Sequence, residues 1–120
     1  MSDISRPPVL LLTGTNAAAR TMERVRASFE AAGYVCHSLT YRHHDLPAGP
    51  ERDARLTGLS IADYVEDARR AIRDIGAAPI VVGHSLGGVV LQLLAADGAV
   101  RAGVCLNSSV MNGVLATTEG

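Results

Sequence analysis

A chain of 120 residues is enough for one compact domain and one hydrophobic core, but not for two. Its apolar fraction of 48% against 3% aromatic residues asks for an aliphatic core, as in a buried parallel sheet covered by helices. Eleven basic and twelve acidic residues, with no long run of either sign, leave a formal charge of −1, which excludes the electrostatic footprint of a nucleic-acid or anionic-lipid binder and suits a small neutral or weakly polar ligand.

Residues 1–8 lack the basic start and apolar stretch of a signal peptide, and no apolar run approaches the roughly 20 residues of a membrane span, so a cytoplasmic protein is expected. Val9-Leu10-Leu11-Leu12, introduced by two prolines, reads as a strand buried on both faces, and Thr13-Gly14-Thr15-Asn16 as the loop after it. Over residues 17–32 the apolar positions Ala18, Met22, Val25, Phe29 and Ala32 recur at three- and four-residue steps, the pattern of an amphipathic helix, which Gly33 stops. Residues 34–41 supply a second strand of mixed polarity, as befits an edge. Residues 42–59, with Pro and Gly clusters and several charges, read as one long irregular connection.

Ser60 followed by Asp63 resembles a capping box, and Ile61, Val65, Ala68, Ile72 and Ile75 trace one face of a second helix that Gly76 ends. Its charged residues Glu66, Asp67, Arg69 and Arg70 are most simply a solvated face. Pro79-Ile80-Val81-Val82 forms the next strand. Gly83-His84-Ser85-Leu86-Gly87-Gly88 follows, then an apolar helical run that ends near Gly98, and a last strand over residues 102–106. The order β-α-β-α-β-α-β makes the fold class α/β, a parallel sheet with helices on both faces. Residues 108–120 carry no interpretable pattern.

The spacing around Ser85 has a physical rationale. A serine on a sharp strand-to-helix turn forces the two backbones to pass close together, and glycines two positions either side, Gly83 and Gly87, leave room for that. A positive φ is therefore expected at Ser85, with its Oγ clear of the sheet and the N–H of Leu86 pointing outward at the helix N-terminus. Cys36 and Cys105 fall in strand-like runs outside any metal-binding spacing and read as buried free thiols. Metal ligation by His37, His43, His44 and Asp45 is the weaker reading, because no spacing brings three of them to one face. No cofactor is expected.

In these residues the chain resembles the α/β-hydrolase family, most closely its small esterase-like or lysophospholipase-like members, over residues 8–109. The anchors are the segment from Val9 to Thr15, similar to the family's strand and oxyanion loop, and the G-x-S-x-G turn from Gly83 to Gly88. The resemblance implies a partial α/β-hydrolase fold whose four strands correspond to the third to sixth of the family, in spatial order 4-3-5-6. It implies Ser85 as nucleophile, the backbone N–H groups of Leu86 and Thr15 as oxyanion donors, and an ester substrate. Cys36 and Cys105 would then lie on opposite edges, about 14 Å apart, too far for a disulfide.

The sequence departs from the family in two places. Thr13 stands where the family commonly has His, which alters loop anchoring more than donor geometry because the donor is backbone. The family's acid and histidine follow the nucleophile, whereas here only Asp97 and Glu119 are carboxylates after Ser85, Asn107 stands where an acid can follow the sixth strand, and no histidine follows at all. The expectation is a single truncated domain over residues 1–120, lacking the strands that carry acid and base, with little turnover of its own. The alternative is a non-catalytic scaffold that binds small acyl ligands or a protein partner. His84 reads as a packing or loop-binding residue. A substitute base from His43 or His44 is geometrically conceivable, since the loop after the second strand opens at the edge where Ser85 stands, but the intervening strand sets them about 10 Å from it and ordinary surface histidines are the plainer reading. Without further strands the last strand is an exposed edge, which implies self-association.

Overall fold

A computed structural model of the chain describes residues 6–12 and 19–106. Four parallel strands, β1 (Val9–Leu12), β2 (Cys36–Leu39), β3 (Ile80–His84) and β4 (Ala102–Leu106), form a sheet of order β2-β1-β3-β4, the 4-3-5-6 order expected. The helices are α1 (Ala19–Ala31), α2 (Pro50–Thr57), α3 (Ile61–Ile75) and α4 (Leu86–Ala96).

β1 is central because all four of its side chains are apolar and buried, so it tolerates a helix layer on each face. Its alternation divides the core in two. Leu10 and Leu12, with Val81, pack on Val65 and Ala68 of α3 and on Val90, Leu91 and Leu94 of α4. Val9 and Leu11, with Val82 and Cys36, pack on Met22, Val25 and Phe29 of α1.

α3 is bounded as its sequence dictates. The Ser60 side chain accepts from the Asp63 N–H and the Asp63 carboxylate accepts from the Ser60 N–H, while Gly76 closes the helix at φ 85° with its N–H donating to the Ile72 carbonyl.

Four expectations need correction. The connection over residues 42–59 is not wholly irregular, because α2 lies within it. Pro50 opens that helix, Glu51 and Asp53 occupy its first turn, and Glu51 pairs with Arg55 one turn on. The second strand is confined to Cys36–Leu39, and Tyr41, past its end, is buried at 1% exposure. Cys105 is exposed and only Cys36 is buried, because β4 has no neighbour on its outer side among the described residues; both thiols are free.

Asp67, finally, is not part of a solvated face. It is 7% exposed and accepts from the backbone N–H of Arg42 at 2.9 Å and from its Nε and Nη2 at 3.0 and 2.7 Å. Burial by itself raises the Asp67 pKa, but these hydrogen bonds and the charges of Arg42 and Arg70 outweigh it and hold the carboxyl below its ordinary value.

α4 reaches the sheet through two glycines. A Cβ on Gly87 would overlap the carbonyl of Leu12 in β1, and a Cβ on Gly83 would overlap the carbonyl of Gly87. The helix therefore crosses β3 and β1 at backbone contact distance.

Two stability measurements follow by urea unfolding. Gly87→Ala is expected to lose at least about 2 kcal/mol through overpacking, whereas Gly58→Ala, at φ −81° where a Cβ would make only ordinary contact with the Arg55 carbonyl at 3.6 Å, gains up to about 1 kcal/mol. Asp67→Ala is expected to lose about 2 kcal/mol at neutral pH. Because the native Asp67 pKa is depressed, its contribution is complete above the unfolded carboxylate value of about 4 and disappears as pH falls through the lower native value, so Asp67→Ala flattens the acid limb of the stability profile.

Candidate functional site

The carboxyl edge of the sheet collects the sequence features of chemical interest. β3 runs into α4 with one residue between them, Ser85, whose φ of 56° and ψ of −117° lie far from both strand and helix. Ser85 and His43, at φ 68°, are the only non-glycine residues of positive φ among those described. The turn is held from both sides, since the Ser85 N–H donates to the Leu106 carbonyl of β4 at 3.1 Å and its carbonyl accepts from the Gly88 N–H at 2.9 Å. Ser85 and Leu86 are partly exposed, while Gly83, Gly87 and Gly88 beneath them are buried. Leu86, as the first residue of α4, has no intrahelical acceptor for its N–H, and the helix dipole favours negative charge there. Thr15 lies outside the described residues.

His84 directs its ring to the face opposite Gly83, by strand alternation, and its Nδ1 is buried without a hydrogen-bond partner. Cys105, aligned with Gly83 across β3 and β4, places its thiol 3.8 Å from the Gly88 carbonyl in the first turn of α4.

His43 and His44 stand in the turn after β2, at the same edge, but β1 intervenes between that strand and β3, a lateral separation of about 10 Å. His44 is engaged elsewhere. Its Nε2 is 3.1 Å from the Tyr64 hydroxyl, and its ring centroid is 5.6 Å from those of both Tyr41 and Tyr64. Burial, then the charge of Arg52, lowers the His44 pKa, so its imidazole is neutral at pH 7. Tyr41 and Tyr64 meet edge to face at 4.8 Å, and Arg42 next to Tyr41 spans to Asp67 and Asp63.

The sequence reading missed this aromatic and ionic cluster. Tyr41 and Arg42 are adjacent, but their partners lie 20 or more residues on, and only the docking of α3 against the end of β2 brings them together. The one available signal was Tyr64 and Asp67 at i, i+3 on a helix, which place both on one face.

Among the described residues no group of three or more His, Cys, Asp or Glu side chains is arranged to hold a metal ion, and no helix is long and apolar enough to cross a membrane.

Comparison with known proteins agrees with this geometry. A search of curated proteins found no match. Among solved structures, the chain is similar to TT1662 from Thermus thermophilus, with a TM-score of 0.63 and 20% identity over 98% of this chain and 56% of that one. The chain thus spans a little over half the length of that protein, and at this identity the likeness is one of fold. The profile of the alpha/beta hydrolase family matches residues 9–119, from the first strand through the Ser85 turn and beyond β4. Sheet order, helix placement and this match agree, and the chain belongs to the alpha/beta hydrolase family.

Proposed function

We propose that the chain carries the nucleophile of a serine hydrolase acting on carboxylic esters, within one α/β-hydrolase domain. The observation that carries this reading is the backbone of Ser85, held at φ 56° between a buried strand and the N-terminus of α4. Such a conformation is costly for a residue with a side chain, and its use here is to lift Oγ off the sheet.

In the proposed reaction Ser85 Oγ attacks the ester carbonyl, and the oxyanion that forms is met by the N–H of Leu86 and, from the loop after β1, that of Thr15. The carbon–oxygen bond to the alcohol then breaks, leaving an acyl-serine that water hydrolyses. Gly83 and Gly87 serve the turn, not the substrate. The serine proton needs an acceptor, and the sequence has no histidine after Ser85. His43 and His44 are separated from it by a full strand, and His44 is committed to Tyr64.

A second reading, a scaffold that binds small acyl ligands or a partner without turnover, is supported by the commitment of His44 to Tyr64 and by the strand that stands between His43 and Ser85. The two free cysteines suit a reducing, cytoplasmic setting. The outer edge of β4, with Val104 44% exposed, is the proposed surface for self-association, by pairing with β4 of a second copy about a two-fold axis.

The 120-residue chain is expected to hydrolyse p-nitrophenyl acetate barely above buffer, since a serine without its base keeps only the help of binding and oxyanion donors. Added imidazole supplies the missing base. It should speed phosphonylation of Ser85 by a fluorophosphonate at least about tenfold, a fraction of what a positioned base contributes. Mass spectrometry should place the adduct on Ser85 and find none in Ser85→Ala; modification elsewhere, or no imidazole dependence, refutes the nucleophile. Light scattering should show mass rising with concentration, and Val104→Lys should return the chain to a monomer.

A further inference from the structure

Among the described residues the sheet has two outer edges, β2 and β4, and they are finished differently. The Val9 N–H donates to the Val35 carbonyl at 2.9 Å, with Val9 opposite Cys36 and Leu11 opposite Ser38. Alternate residues of a parallel strand bond to the same neighbour, so Val35, His37 and Leu39 face β1 while Cys36 and Ser38 turn their backbone N–H and C=O outward. By the same rule, with the Ser85 N–H on the Leu106 carbonyl, Gly103 and Cys105 are the outward residues of β4.

The four residues of β2, Cys36 to Leu39, include no acid, lysine or arginine that would repel a further strand. Beside them, on the α3 side, lies a groove of about 300 Å³ lined in part by His37, Leu39, Ala71 and Ile75, where the side chains of an added strand would bury apolar surface. Arg26 of α1 reaches across this edge. Its Nη2 donates to the outward Cys36 carbonyl at 3.1 Å and its Nη1 to the Ser38 Oγ at 2.7 Å, while Glu30, one turn on, holds its Nε at 3.5 Å. The Cys36 thiol lies 3.9 Å from the Arg26 carbonyl, so strand and helix are tied in both directions. Gly103 offers no side chain at the other edge, and the Cys105 thiol turns to the Gly88 carbonyl. Among the described residues no charged side chain bonds to β4 as Arg26 does to β2.

We propose that Arg26 guards β2 against strand addition, so that a second copy of the chain can pair with the sheet only along β4. The guanidinium occupies the Cys36 carbonyl, the acceptor that an incoming strand would need, and its planar fork reaches two points of the edge at once, which a lysine cannot do. A strand that displaced it would have to bury or expel a fixed charge. The choice of partner edge rests on the self-association proposed above for β4, whereas the closure of β2 stands on the Arg26 contacts alone.

The test uses the full chain carrying Val104→Lys, which blocks β4, and follows light scattering and amide hydrogen exchange as protein concentration rises. Adding Arg26→Ala should restore association, at a protein concentration at least about tenfold below any at which Val104→Lys alone associates, with exchange slowing over residues 34–40. Arg26→Gln, which keeps the stem of the side chain, should do the same and decides the matter if Arg26→Ala lacks a cooperative urea transition. Arg24→Ala removes the same charge from an exposed position of α1 and should stay monomeric. A folded Arg26→Ala or Arg26→Gln chain that remains monomeric, or that associates with no slowing over residues 34–40, overturns the proposal, as does equal association in Arg24→Ala or loss of folding in both Arg26 variants. Slowing over residues 34–40 with Arg26 intact also overturns it. Residues 102–106 are read in the same experiment: if they, and not 34–40, slow in Val104→Lys, the block at β4 has failed while Arg26 is still judged by residues 34–40, so the two interfaces give separate results.

Discussion

The architecture at the carboxyl edge depends on how closely α4 can lie against the sheet. Gly87 sits where any side chain would enter the Leu12 carbonyl of β1, and Gly83 where any side chain would enter the Gly87 carbonyl. Backbone meeting backbone brings Leu10, Leu12, Val81, Val90, Leu91 and Leu94 into one buried cluster. The same closeness leaves Ser85 no room to continue as strand or to begin as helix, and its positive φ is the geometric outcome. Packing and chemistry thus share one constraint: what seats the helix also presents the serine.

A second constraint organises the opposite side of that edge. Asp67 turns inward from α3 and gathers the side chain and backbone of Arg42, which ties the end of β2 to the helix and draws Tyr41 beneath Tyr64. A buried carboxylate is costly when alone and tolerable when every acceptor lobe is filled. Arg42 supplies three such donors to Asp67, and nothing described pairs the Nε of Arg52 or the hydroxyl of Tyr41. The two halves of the edge differ accordingly: the Ser85 side is built from close backbone contact, the Tyr41 side from charge and hydrogen bonding left partly unsatisfied.

The sheet and most of the helices were legible in the sequence because they follow from local rules. Four consecutive apolar residues at Val9 to Leu12 have no stable place except a central strand, and Ser60, Asp63 and Gly76 mark helix ends through bonds made within a few residues. The strand order was legible through resemblance, since parallel connection by right-handed crossovers leaves few alternatives. α2 was missed because Pro50, a good first residue of a helix, was weighed as a loop marker among its Gly and Pro neighbours. Cys105 was misplaced because an apolar strand pattern does not say whether another strand will cover it.

By itself the sequence determined the α/β class and the strand-turn-serine-helix unit, in which Gly83 lies against Gly87, because these depend on residues close in the chain; that Gly87 also meets Leu12 of β1 was decided by the tertiary structure. Only the tertiary structure decided that Asp67 is buried, that His44 pairs with Tyr64, and that Arg52 and Tyr41 are left without partners. The reason is physical. Burial and pairing of a polar side chain depend on which distant element packs against it, and residues 41 and 64 meet only once α3 has docked on the sheet.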